Sequence, residues 1–176
     1  MACISKLASA IAYDCDTGAT GLESAIIINK ADIASFTADS SGLVSAITLL
    51  PGANAYKIDT VKRTLVMTSA LKINEGAPNA FSHSANIILT SATGVFGAIT
   101  SFSNGSFVIL AQVGGTKVIN VYGLYYGLSA TAFERSTHDN GGWASVTLET
   151  PENVIGEDNL FVAGDVYSTL YAAAVG

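Results

Sequence analysis

Short β-favouring runs separated by turn residues organise most of this chain. Residues 24–29, 33–37, 43–50, 60–74, 80–91, 106–112, 117–123, 128–134 and 143–149 are rich in Val, Ile, Thr, Ala and Ser and predict strands. Between them fall Ser41-Gly42, Pro51-Gly52, residues 76–78, Asn104-Gly105, Gly114-Gly115 and Asn140-Gly141-Gly142, which supply glycine freedom or a preset proline for tight turns. Short strands at such regular spacing predict a mainly β fold, a sandwich or barrel. One segment, 93–102, has a helical stripe, with Val95, Phe96, Ile99 and Phe102 on one side, Thr93 as N-cap and Asn104-Gly105 as the stop. No exact internal repeat is present.

The longest run deserves separate treatment. Val61, Arg63, Leu65, Met67, Ser69, Leu71 and Ile73 alternate with Lys62, Thr64, Val66, Thr68, Ala70, Lys72 and Asn74, giving a mainly apolar face. A strand over all of 60–74 would be about 50 Å long, more than one domain core covers. Paired back through residues 75–79 onto 80–91, it predicts a hairpin that projects from its own subunit. A bare hairpin of that size aggregates unless a neighbouring copy covers it, so the expected contact residues are Val61, Arg63, Leu65, Met67, Leu71, Ile73, Phe81 and His83.

Composition points the same way. Of 176 residues 49% are hydrophobic and only 12% charged, an apolar excess that implies subunit contacts and excludes intrinsic disorder. No apolar run approaches the roughly 20 residues a helical membrane span needs. The net charge is −6, and it is segregated: three basic against six acidic residues in 1–60, four against one in 61–120, and one against seven in 121–176. Without a Lys/Arg cluster the chain lacks the footprint of a nucleic-acid binder. Cys3 and Cys15 form neither a disulfide framework nor a zinc spacing, and the opening residues are too weakly apolar for a secretory signal.

Candidate chemistry is sparse. Of two histidines, His83 lies in a strand beside Phe81 and Ala85, and His138 belongs to a turn. Glu149, Glu152, Glu157 and Asp158 lack the spacing of a calcium loop, and residues 114–117 lack the phosphate-loop pattern that Gly-Gly-Thr-Lys superficially evokes. Tyr122, Tyr125 and Tyr126, with Trp143, would suit a sugar platform, although glycines flanking aromatics in strands more often mark close backbone approach. No catalytic constellation and no cofactor loop emerges, so the expectation is a non-enzyme without cofactor or metal.

The order of elements resembles the tail tube (major tail) proteins of long-tailed bacteriophages, particularly a group from phages of Bacteroidetes bacteria. The matching pieces are Ala12-Tyr13-Asp14-Cys15, Asp-Ile-Ala-Ser at 32–35, the helix, Asn104-Gly105, the strand at 107–110, Val121-Tyr122-Gly123, Gly127-Leu128, Ala130-Thr131, Gly141-Gly142 and residues 146–151. What the resemblance implies is a sandwich-like tail-tube subunit that forms stacked, hexameric rings, with one sheet of each copy joining a β-barrel around a lumen. It further implies an N-terminal arm over about 1–22, an extended hairpin over about 60–91 that reaches the adjacent ring, and a C-terminal arm over about 160–176. The partners would be further copies of the chain and the tape-measure, terminator and baseplate or tip proteins of a virion tail assembled in the host cytoplasm, with DNA passing through. Acidic side chains facing the lumen would repel phosphates over about 8 Å at physiological salt, so DNA slides without adhering. Glu134, Asp139 and Glu149 are the expected lumen-facing residues. A capsid decoration or head-tail connector protein, or a carbohydrate-binding sandwich, are the alternatives.

Overall fold

Residues 25–28 and 107–111 are apolar without a break, a pattern that suits strands covered on both faces. The computed structural model describes residues 21–58, 65–89, 101–114, 118–135 and 144–175, and it places these two runs side by side at the centre of the fold. The chain is mainly β. Its strands are β1 (Leu22–Asn29), β2 (Ile33–Ala38), β3 (Leu43–Leu49), β4 (Ala55–Ile58), β5 (Leu65–Lys72), β6 (Ala80–Leu89), β7 (Ser106–Val113), β8 (Ile119–Tyr122), β9 (Leu128–Arg135), β10 (Ala144–Glu149) and β11 (Leu160–Val162), followed by helix α1 (Gly164–Ala173).

All eleven strands belong to one open sheet in the order β2-β3-β11-β8-β7-β9-β10-β6-β5, with β1 on the other side of β7 and β4 beyond β1. Every pairing is antiparallel except that of β11 with β3. The sheet forks at β7, because β8 pairs with Ile109 to Gln112 while β9 takes only Ser106 and Phe107 on the same edge. Two hydrophobic clusters lie on opposite faces of the β1–β7 pair. Ile26, Ile28, Val108 and Leu110 enter the cluster closed by β3, β8, β11 and α1. Ala25, Ile27, Phe107, Ile109 and Ala111 enter the other, closed by β5, β6, β9 and β10. Each fully buried Leu or Ile contributes about 1.5–3 kcal/mol of transfer free energy, so this shared central pair anchors both branches.

Each of the nine expected strands falls on an observed one, within its described part. The closed architecture does not: the strands form an open, forked sheet, since β8 and β9 share one edge of β7 and carry the two branches apart. The expected helix at 93–102 lies mostly outside the described residues, but 101–104 are helical and the helix ends where Asn104-Gly105 predicts.

The C-terminal segment expected as an arm instead adds a strand and folds into α1, a second helix. Val166, Tyr167, Leu170, Tyr171 and Ala174 follow a helical stripe that packs on the first cluster. Val175 then closes the outer edge of β4, donating to Ala55 O and accepting from Lys57 N–H, both at 2.9 Å. Most of the expected N-terminal arm, and with it Cys3 and Cys15, lies outside the described residues.

Candidate assembly faces

The hairpin forms, with Leu65 opposite Ile87 and Lys72 opposite Ala80, so that the connection spans 73–79, two residues more than the expected 75–79. It is less free than the sequence suggests. In its described part β5 has eight residues, about 26 Å, and β6 is an interior strand whose other edge pairs with β10 over Ser84 to Leu89. That edge continues with backbone bonds between Thr150 and His83 and between Glu157 and Phe81. In between, residues 151–156 strap the hairpin tip: Lys72 Nζ donates to Val154 O at 2.6 Å and Glu152 O at 3.2 Å, and Asn74 Nδ2 donates to Ile155 O at 2.9 Å.

The expected contact residues therefore divide. Leu71 and Ile73 are open, at 60% and 76% exposure, while Met67 and Phe81 are half-buried. Leu65 and His83 point into the protomer's own core and cannot meet a neighbouring copy, because β6 and β10 fold the hairpin base over the second cluster. Val61 and Arg63 lie outside the described residues.

His83 is 1% exposed. Its Nδ1 accepts the Gly123 N–H at 3.2 Å, which leaves Nε2 to donate to Asn159 Oδ1 at 3.3 Å, and its ring meets Tyr122 edge-on at 5.2 Å. Ser69 Oγ donates to the same Asn159 oxygen at 2.6 Å. Burial pushes the imidazole pKa down, against the Asn159 bond and the Asp158 charge, which raise it. The side chain is thus a neutral structural link between β5, β6 and the β8–β9 connection.

A second link went unnoticed in the sequence. Glu157 is 0% exposed and its carboxylate accepts the Tyr125 N–H at 2.8 Å and the Tyr126 N–H at 2.7 Å. These donors sit in the Gly123-Leu124-Tyr125-Tyr126-Gly127 turn between β8 and β9, at the fork of the sheet. Gly123 adopts φ 76° there, and a Cβ would lie 2.9 Å from Phe107 O and 3.0 Å from Leu128 N. The glycine-flanked aromatics do mark a close backbone approach. Burial lifts the Glu157 pKa, opposed by the backbone bonds of Tyr125, Tyr126 and Gly127 and by the charge of Lys30. Tyr122 is interior, whereas Tyr125 and Tyr126 are exposed, so the three do not form a single stacking platform. Trp143 and His138 lie outside the described residues.

Of the expected lumen residues, Glu134 and Glu149 share one face of β9–β10–β6–β5, and Asp139 lies outside the described residues. The registers resolve this branch into rows. Leu65, Ile87, Val146 and Phe133 form a row on the core side. Val66, Asn86, Thr147 and Ala132 form one on the outer side, flanked by Thr68, Ser84, Glu149 and Ser129 and by Ile88, Ser145 and Glu134. None of these outer residues is buried. Glu134 and Glu149 are their only ionisable groups, about 13 Å apart along the strands. Lys72 stands at the tip end of this face with its ammonium held by the strap.

Among the described residues no group of three or more His, Cys, Asp or Glu side chains is placed to hold a metal ion, and no helix is long and apolar enough to cross a membrane. No family model, curated protein or solved structure matches the chain.

Proposed function

We propose that this chain is a structural subunit of a phage tail tube, self-assembling into stacked rings, hexameric in the family it resembles, whose bore conducts DNA without holding it. The observation that carries the reading is the outer face of β9–β10–β6–β5: an unburied field, mostly of small and hydroxyl-bearing side chains, whose only ionisable groups among the described residues, away from the strapped tip, are Glu134 and Glu149. Among the described residues such a face offers phosphates no cation except Lys72, whose ammonium is held by the strap, and two anions that repel them. The exposed apolar residues Leu71, Ile73, Ile155 and Phe133 suit contacts between copies, as obligate interfaces are richer in apolar area than ordinary surface. The partners on this reading are further copies and the other tail proteins, and the location is the virion tail.

Negative-stain microscopy of the purified full chain should show hollow tubes or stacked rings. A protein that stays monomeric at high concentration refutes the reading, and discrete trimers or unstacked rings favour a decoration or connector protein. In an assembled tube a neutral or basic bore would overturn the assignment of the lumen face.

A further inference from the structure

We infer that residues 150–159 form a latch that opens as one unit and couples the hairpin tip to the fork of the sheet, so that loosening the tip loosens the fork turn. The latch is a property of the single protomer and stands apart from the tail-tube reading. The segment leaves β10 on one branch and enters β11 on the other. On the way it is pinned three times. Lys72 Nζ and Asn74 Nδ2 hold the carbonyls of Glu152, Val154 and Ile155 at the tip. Glu157 exchanges two backbone hydrogen bonds with Phe81, at 2.8 and 2.9 Å, while its carboxylate takes the Tyr125 and Tyr126 N–H groups of the fork turn. Asn159 Oδ1 then accepts from Ser69 and from His83, whose other ring nitrogen holds the Gly123 N–H. The pins of the tip and those of the fork turn thus lie a few residues apart on one stretch of backbone.

Hydrogen bonding, not apolar burial, holds this segment. None of residues 150–159 belongs to either hydrophobic cluster, its buried members Thr150 and Glu157 are polar, and Ile155 is 52% exposed. Segments with few buried apolar contacts open at a lower free energy than the core, and they do so in contiguous cooperative units. Gly156 joins the two sets of pins. It lies against β6 at φ 128°, where a Cβ would come within 2.8 Å of Ala80 Cβ and 2.9 Å of Phe81 O. So close a seat leaves no room for the backbone to shift on the tip side of Gly156 while Glu157 stays in place. Opening the latch frees the tip, the backbone groups of Phe81 and the fork turn together, and it leaves the central β1–β7 pair and both clusters intact.

The test is hydrogen exchange of the full chain, read by mass spectrometry at protein concentrations below assembly, on wild type, Lys72→Met, Asn74→Ala and Gly156→Ala, with circular dichroism confirming that each variant is folded. Lys72→Met and Asn74→Ala each remove pins at the tip alone. Lys72→Met should nevertheless speed exchange in peptides spanning 123–127, by about tenfold, the effect of losing a hydrogen bond from a charged donor, while β1 and β7 keep the wild-type rate. Asn74→Ala should shift the same peptides in the same direction, and Gly156→Ala should shift them furthest, since it lifts the segment off β6. Should Gly156→Ala not fold, the two tip variants decide. Fork-turn amides that keep the wild-type rate in the folded tip variants overturn the latch. Core amides that speed up by the same factor overturn it too, since the segment then opens only with the whole fold. Either result leaves the question of self-assembly where microscopy puts it.

Discussion

Removing the Glu157 side chain should unlatch the turn at the fork of the sheet. Its buried carboxylate accepts two backbone N–H groups, from Tyr125 and Tyr126, at 2.8 and 2.7 Å. Alanine leaves both donors facing a void, and a buried donor without a partner costs about 1–3 kcal/mol. Against this stands the buried charge: desolvation is the largest influence on the group and lifts its pKa, so its removal offsets part of the loss. The net expectation for Glu157→Ala is a destabilisation of about 2–4 kcal/mol at neutral pH. Glu157→Gln keeps one acceptor and the shape while discarding the charge, and should lose less.

The pH dependence has a definite sign. A carboxyl with a raised pKa in the fold binds its proton more readily there than in the unfolded chain. The resulting stability is fully present below the unfolded value and is lost as pH rises through the folded one. Wild type should therefore gain on Glu157→Gln in acid and lose that advantage toward neutrality. Urea denaturation at protein concentrations below assembly, monitored by intrinsic fluorescence across pH, reads both effects. An alanine variant within about 0.5 kcal/mol of wild type, the range of a neutral surface change, would refute the latch, and so would a wild-type advantage that grows with pH.

His83 should behave in the opposite sense: its pKa is lowered in the fold, so the stability it confers is present above the ordinary histidine value and lost as pH falls through the folded one. Protonation would also set a proton on Nδ1 against the Gly123 N–H, and His83→Gln should flatten that part of the acid denaturation profile. Gly123→Ala should cost more than about 2 kcal/mol in a urea melt, because φ 76° strains an L-residue and the added Cβ would lie 2.9 Å from Phe107 O. A loss below about 0.5 kcal/mol would show that the turn relaxes freely.

The strands were legible because their β-branched runs are bounded by turn residues whose conformations the structure bears out, with Gly42, Gly52 and Gly76 all at positive φ. The pairing of the hairpin followed from the residues of its turn, although not its register, since Lys72 and not Asn74 lies opposite Ala80. What misled was length: alternation through 60–74 says nothing of what lies across the strand, and β10 and the 151–156 strap tie the hairpin into the sheet. α1 had a usable signal in Val166, Tyr167, Leu170 and Tyr171 that the short, alanine-rich segment obscured. β4 and β11, four and three residues long, are defined by their partners more than by their own pattern. Glu134 and Glu149 share a face because Glu134 lies opposite Ser145, four residues from Glu149 on β10, while the irregularity in the β9–β10 ladder at Thr147 and Leu148 changes only which β9 residues before Ala132 turn outward. Glu157 was visible only as one acid among four, because its partners are backbone donors about thirty residues away.

The way this fold treats its edges argues for assembly more strongly than its composition does. Exposed strand edges invite pairing, and natural monomers blunt them with lysine, proline, bulges or a covering segment. Here β4, only four residues long, is covered by Val175. β5, twice that length in its described part, carries Val66, Thr68 and Ala70 along its exposed outer side, and within 65–72 it has no proline and no lysine but Lys72. The Lys72 ammonium is then committed to the carbonyls of Glu152 and Val154. Among the described residues the short edge is closed and the longer edge is bare, so the means of protection seen at β4 is not used at β5. If β5 served only the protomer, placing lysines at Val66 or Ala70 would leave the oligomeric state unchanged. If β5 is the joining edge, Val66→Lys should suppress assembly while the melting temperature of the protomer hardly moves.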